Sequence, residues 1–116
     1  MKFKIVLIDF PFDDFSESKL RPALCLTNPI SEHNQIVLAL ITSNLQNANE
    51  TTDVLLEKDQ VDFQVTGLKV SSVIKIHRLL TTTDKIIRKI IGDLPESYYS
   101  EIYEKIKRLF GIQKYC

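Results

Sequence analysis

Residues 36–44 read Ile-Val-Leu-Ala-Leu-Ile-Thr-Ser-Asn. The six apolar residues 36–41 have no polar face, which is the pattern of a strand covered on both sides. Such a strand must be central in its sheet. The polar residues Thr42, Ser43 and Asn44 sit at its exit, where the chain passes into the polar stretch 46–52. Groups held at the end of a buried strand are well placed for function.

Upstream, residues 2–10 are β-branched and aromatic with charges at Lys2, Lys4 and Asp9, a strand buried on at least one face and stopped by Pro11. Residues 12–20 form a polar loop. Arg21, Pro22 and the apolar run 23–26 are a second strand, closed by Asn28 and Pro29. Downstream, 53–56, 67–78 and 88–94 read as further strands, and the polar piece 81–84 as a helical turn capped by a threonine oxygen. Tyr98, Tyr99, Ile102, Ile106, Leu109 and Phe110 recur at three- and four-residue spacing before Gly111, which predicts an amphipathic helix with a glycine stop. Strands first and a helix last, joined by short connections, predict a mostly β (α+β) chain. The expected architecture is a small antiparallel barrel with a C-terminal helix, one domain over residues 1–116.

At 116 residues the chain can build one core, so any larger assembly requires self-association. Its 44% apolar and 26% charged residues exclude a disordered or collagen-like protein. Fifteen Lys and Arg balance fifteen Asp and Glu, so there is no global attraction to polyanions. The distribution is uneven. Residues 1–50 carry four cations against six carboxylates, while between Lys69 and Lys89 six cations (Lys69, Lys75, Arg78, Lys85, Arg88, Lys89) face only Asp84. This is either a local polyanion footprint or a solvated face. Cys25 and Cys116 stand far apart with no CxxC and no histidine cluster, which indicates neither a disulfide framework nor a metal site, and no cofactor is expected. The apolar start is broken by Asp9 and too short for a signal or membrane span, so a cytoplasmic protein with no membrane partner is expected.

Several pieces, in order, resemble the PemK/MazF toxin family: residues 5–12 (IVLIDFPF), 19–23 (KLRPA), 39–43 (ALITS), Thr66-Gly67-Leu68 with Ser72-Val73, and Thr83-Asp84-Lys85 with residues 91–94 (IGDL). Each is common alone, but five in one order cover nearly the whole chain. The resemblance implies an SH3-like barrel, usually a homodimer, acting as the toxin of a type II toxin–antitoxin pair. Its implied activity is metal-independent endoribonuclease cleavage of single-stranded RNA at short sequences. A cognate antitoxin is the second implied partner, its tail occupying the RNA groove. Three departures stand out: Phe3-Lys4 replaces the family's frequent Gly-Asp, residues 12–19 contain no glycine, and residues 79–82 run about one residue long.

In the family the ribose 2′-hydroxyl attacks its own phosphate, leaving a cyclic phosphate and a free 5′-hydroxyl. Arg21 and Thr42 match the two key positions. A guanidinium donates bidentately to phosphate oxygens; permanently charged, it is a poor base but can give a proton to the departing oxygen. The Thr42 hydroxyl can donate to the same phosphate. Without the resemblance, Arg21 reads as a salt bridge to Asp13, Asp14 or Glu17, and Thr42 as a strand-end hydroxyl bonded to its own backbone. His77, beside Arg78, is the third catalytic candidate, since neutral imidazole is the natural base near neutral pH; it reads more readily as a partly buried strand-end histidine. Phe12, Lys19, Ser43, Lys75 and Arg78 are the RNA-binding candidates, Phe12 as a stacking platform or a core residue and the cations as phosphate contacts. His33 reads as solvated. The rival readings are a non-enzymatic poison of DNA gyrase on the same barrel and an inactive RNA- or antitoxin-binding relative.

Overall fold

The computed structural model describes residues 1–10, 19–48 and 51–112, without the side chains of Lys19 and Asn47. Six strands form, β1 (Lys4–Phe10), β2 (Lys19–Cys25), β3 (Gln35–Thr42), β4 (Asp53–Leu56), β5 (Ser72–Thr83) and β6 (Ile87–Asp93), followed by the helix α1 (Tyr99–Leu109). Every pairing among them is antiparallel, in the order β4-β5-β3-β2-β1-β6. β3 lies inside the sheet between β2 and β5, as its all-apolar run requires.

Alternation along each strand sends side chains to two faces. Ile5, Leu24, Ala39, Ile41, Ile74 and Ile76 join one buried cluster, together with Ile102 of α1. Val6, Ile8, Ala23, Cys25, Ile36 and Leu38 form a second cluster on the opposite face. The helix buries most of the predicted stripe: Ile102 is fully buried, with Ile106, Leu109, Tyr98 and Tyr99 packed around the same cluster, whereas Phe110 at the helix end is exposed. Full burial of one such aliphatic side chain contributes about 1.5–3 kcal/mol. Gly111 ends the helix at φ 68°, and the Ile112 N–H donates to the Lys107 carbonyl at 2.9 Å, a Schellman closure.

The expected barrel is not closed by hydrogen bonds. β4 and β6 are the two sheet edges, and no strand pairing joins them among the described residues. A 3₁₀ turn, Phe63–Thr66, that follows β4 fills the seam by lying against β6, so the sheet must bend round on itself. Two glycines permit the approach. A Cβ on Gly67 would overlap the Ile91 carbonyl, and one on Gly92 would overlap the backbone of Val65 and Thr66.

Local details correct the sequence reading in three places. β5 starts at Ser72 rather than residue 67, because Gly67 takes φ 73° and closes the 3₁₀ turn instead of extending. The turn after β5 forms as Asp84–Ile86, but Thr83 makes no side-chain capping bond. β5 also continues to Thr83, and its register against β3 jumps: Leu40 faces Lys75 while the adjacent Ala39 faces Leu79. Residues 76–78 therefore have no partners on β3, while residues 79–82, which the sequence marks as running long, pair with it in regular register.

The Phe3 departure has a structural reading as well. Phe3 holds φ 68°, a left-handed conformation that glycine adopts without steric cost. Its ring compensates by packing 4.3 Å from the Tyr99 ring and 5.8 Å from that of Tyr103, tying β1 to the helix.

Candidate functional site

β2 and β3 bring the two leading candidates together. Their ladder pairs Ala23 with Leu40, and continuing that register two residues sets Arg21 opposite Thr42. Both line a small cavity of about 70 Å³, shared with Phe10, Leu40, Ile41, Lys75 and Arg78. Both also line a larger groove of about 650 Å³ that runs past Leu20, Ser43, Lys69, Val70, Lys89 and Ile90 toward the seam. Arg21 and Thr42 stand where cavity and groove meet.

Arg21 is exposed on β2. Thr42 Oγ1 accepts the Asn44 N–H at 3.1 Å, so the strand-end backbone bond does form. That bond uses the hydroxyl as acceptor and leaves its own proton to donate outward. Asn44 in turn caps the 3₁₀ turn Leu45–Asn47 by accepting from Gln46 N–H at 3.2 Å, which holds the exit of β3 in place.

Lys75 differs from a solvated basic residue. It is 7% exposed and its Nζ donates to Asp53 Oδ2 at 2.9 Å, across the directly paired positions of β4 and β5. Asp53 is buried too, at 9%. His77 lies on the same side of β5, with Nδ1 3.3 Å from Thr52 Oγ1 and 4.0 Å from Asp53 Oδ1, and it lines neither cavity nor groove. Arg78 reaches the cavity wall because of the bulge. Ser43 lines the groove alone. Phe12 and the Lys19 side chain lie outside the described residues.

The basic stretch divides among different tasks. Arg88 is tied to Asp9, its Nε donating at 3.1 Å, Lys75 is held by Asp53, and Lys85 lines neither space. Lys69 and Lys89 reach the groove from opposite sides of the seam. His33 is exposed beside Glu32, and burial pushes the Cys25 thiol from its ordinary 9.0 up to about 11, which makes it an inert core group. Among the described residues no group of three or more His, Cys, Asp or Glu side chains could hold a metal ion. No helix among them is long and apolar enough to cross a membrane.

Comparison with known proteins decides the family. A sequence model of the PemK-like, MazF-like toxins of type II toxin–antitoxin systems matches residues 1–110. The chain belongs to that family. Among curated protein sequences nothing matches this toxin. Among solved structures, the Mycobacterium tuberculosis toxin MazF-mt6 superposes with a TM-score of 0.74 at 22% identity, over 96% of this chain and 99% of that one. An endoribonuclease in complex with its cognate antitoxin, from mycobacterial species, gives 0.72 at 12% identity over 99% and 98%. The MazE–MazF structure from Deinococcus radiodurans gives 0.67 at 19% identity over 97% and 95%. At these identities the likeness is one of fold. It places this toxin's incompletely closed sheet and terminal helix within the MazF-like architecture.

Sequence reasoning missed Asp53, Lys69 and Lys89. The two lysines carried a signal, since both belong to the basic stretch. Asp53 carried none: a carboxylate in a short strand reads as solvent-facing until the strand opposite it is known.

Proposed function

We propose that this toxin is a sequence-specific, metal-independent endoribonuclease of single-stranded RNA. The observation that carries the reading is the placement of Arg21 and Thr42 side by side where the cavity opens into the groove. A phosphate seated there has a guanidinium on its non-bridging oxygens and a hydroxyl donor beside it. The 2′-oxygen bonds to phosphorus as the bond to the 5′-oxygen breaks, charge builds on the oxygens that Arg21 contacts, and the departing 5′-oxygen takes a proton from Arg21, which regains one from water. His77, the base candidate of the sequence, lies behind the cavity wall beside Thr52 and Asp53 and lines neither space, so the 2′-hydroxyl proton is proposed to pass to water in the open groove. Arg78 and Lys75 hold flanking phosphates, Ser43 and Lys19 extend the polar path, and Phe12 stacks a base.

The groove also suits the proposed antitoxin. Leu20, Val70 and Ile90 are half exposed in its wall and alternate with Arg21, Lys69 and Lys89, a surface for a tail of aliphatic and acidic residues. A homodimer acting in the cytoplasm completes the reading, since paired copies would cover apolar surface that one short chain leaves bare.

The test is cleavage of a long single-stranded RNA in EDTA, with new 5′ ends mapped beside Arg21→Ala. Cuts at a recurring short sequence that vanish in Arg21→Ala are expected. An Arg21→Ala protein that is folded by circular dichroism and cuts like the parent would sink the assignment, and no cuts by the parent on varied RNAs would move the toxin to a non-enzymatic role.

A further inference from the structure

We infer that Asp53 is a positioning residue of the cleavage site, holding the Lys75 ammonium at the cavity wall where the phosphate of the bound strand sits. The inference rests on the endoribonuclease reading above and adds to it a residue from β4, a strand that contributes nothing to the cavity lining directly.

Three observations support it. First, the pair is buried, with side chains 9% and 6% exposed, on the face of β4 and β5 opposite the aliphatic cluster of Val54, Ile74 and Ile76. A buried ion pair is seldom the most stable filling for such a place, because apolar residues of similar volume often do as well or better. Its presence calls for something other than stability. Second, Lys75 is the one member of the pair that faces the cavity, so the carboxylate behind it acts on the cavity through the lysine.

Third, three cations, Arg21, Lys75 and Arg78, line a space of about 70 Å³. Their mutual repulsion would drive a flexible lysine away from the wall. The Asp53 carboxylate, bonded to Nζ at 2.9 Å, offsets that repulsion and removes rotational freedom from the four-carbon stem. On its other side Asp53 has the His77 ring, whose Nδ1 lies 4.0 Å from Oδ1, beyond hydrogen-bond distance, and 3.3 Å from Thr52 Oγ1. The line Thr52, His77, Asp53, Lys75 thus ends on the cavity. Placement within about 1 Å is worth up to about 100-fold in rate at a reacting centre.

The experiment compares the parent, Arg21→Ala, Asp53→Asn and the double variant Asp53→Asn/Lys75→Met. Each is assayed for kcat and KM on a cleavable RNA and for Kd on the same strand with a 2′-deoxy substitution at the cut. Asp53→Asn should lose about 10- to 100-fold in kcat while binding the uncleavable strand as tightly as the parent or tighter, since a negative charge beside a polyanion site has gone. A purely structural role would lower kcat and binding together. The double variant, with no buried charge left, should fold like the parent and stay slow, and it decides the matter if Asp53→Asn alone does not fold. A double variant that cuts at the parent rate, or an Asp53→Asn protein with parent kcat, overturns the inference while the Arg21→Ala control leaves the endoribonuclease reading standing. A parent that does not cut RNA overturns both.

Discussion

Thr42 illustrates how one side chain satisfies a structural and a chemical demand at once. Accepting the Asn44 N–H fixes the end of β3, and the hydroxyl proton left over is the one a phosphate would meet. Arg21 and Thr42 were singled out in the sequence by the family resemblance of the ordered pieces that contain them, since Arg-Pro and Thr-Ser are common dipeptides by themselves. Lys75 was legible only as a cation, since its burial and its partner come from β4. Cys25 makes a prediction at this scale. Its thiol ionises near 11 in the folded chain against 9.0 ordinarily, so the folded state keeps a proton that the unfolded chain loses first. Its stabilising contribution is complete well below pH 9 and is lost as pH rises through 11, by about 3 kcal/mol at most. Urea titrations between pH 8 and 11 should show a steeper loss for the parent than for Cys25→Ala; equal slopes would contradict the burial argument.

Among the elements, the seam between the 3₁₀ turn Phe63–Thr66 and β6 has the least tolerance. A methyl added to Gly67 or Gly92 would run into backbone there, whereas one added to Gly111 at the helix end would meet nothing within 4 Å and would be strained only by the left-handed φ of 68°. Gly92→Ala should therefore lose more than about 2 kcal/mol by displacing backbone, against about 1 kcal/mol for Gly111→Ala. Comparing urea midpoints of the two variants checks this, and similar losses would mean that the seam yields easily. Strand β3 and helix α1 were readable from apolar periodicity alone. The late start of β5 and its bulge were not, because they depend on how Gly67 meets β6 and how β5 is forced past β3.

For the molecule as a whole, zero formal charge hides a directional surface. Arg21, Lys75, Arg78, Lys69 and Lys89 line the cavity and groove, the Lys75 charge being balanced by Asp53, while Arg88 bonds Asp9 and lines neither. If the groove is the RNA path, about four phosphate contacts give a slope of about −3 in log Kobs against log[salt] for a single strand. Measuring Kd for an uncleavable RNA between about 50 and about 300 mM salt tests it. A slope near zero would exclude the groove as a phosphate track, and the Lys69→Ala/Lys89→Ala pair should reduce the slope by about half.

The sequence by itself determined the strand-rich class, the central position of residues 36–41 and the terminal helix, because period and apolar runs are local properties of the chain. Tertiary structure alone decided that the sheet stays open at β4 and β6, that two glycines admit a 3₁₀ turn to the gap, and that Asp53 and Lys75 share a buried face beside the cavity. Those outcomes rest on register and close approach between segments distant in sequence, where the energy of a contact belongs to the pair and is absent from either residue alone.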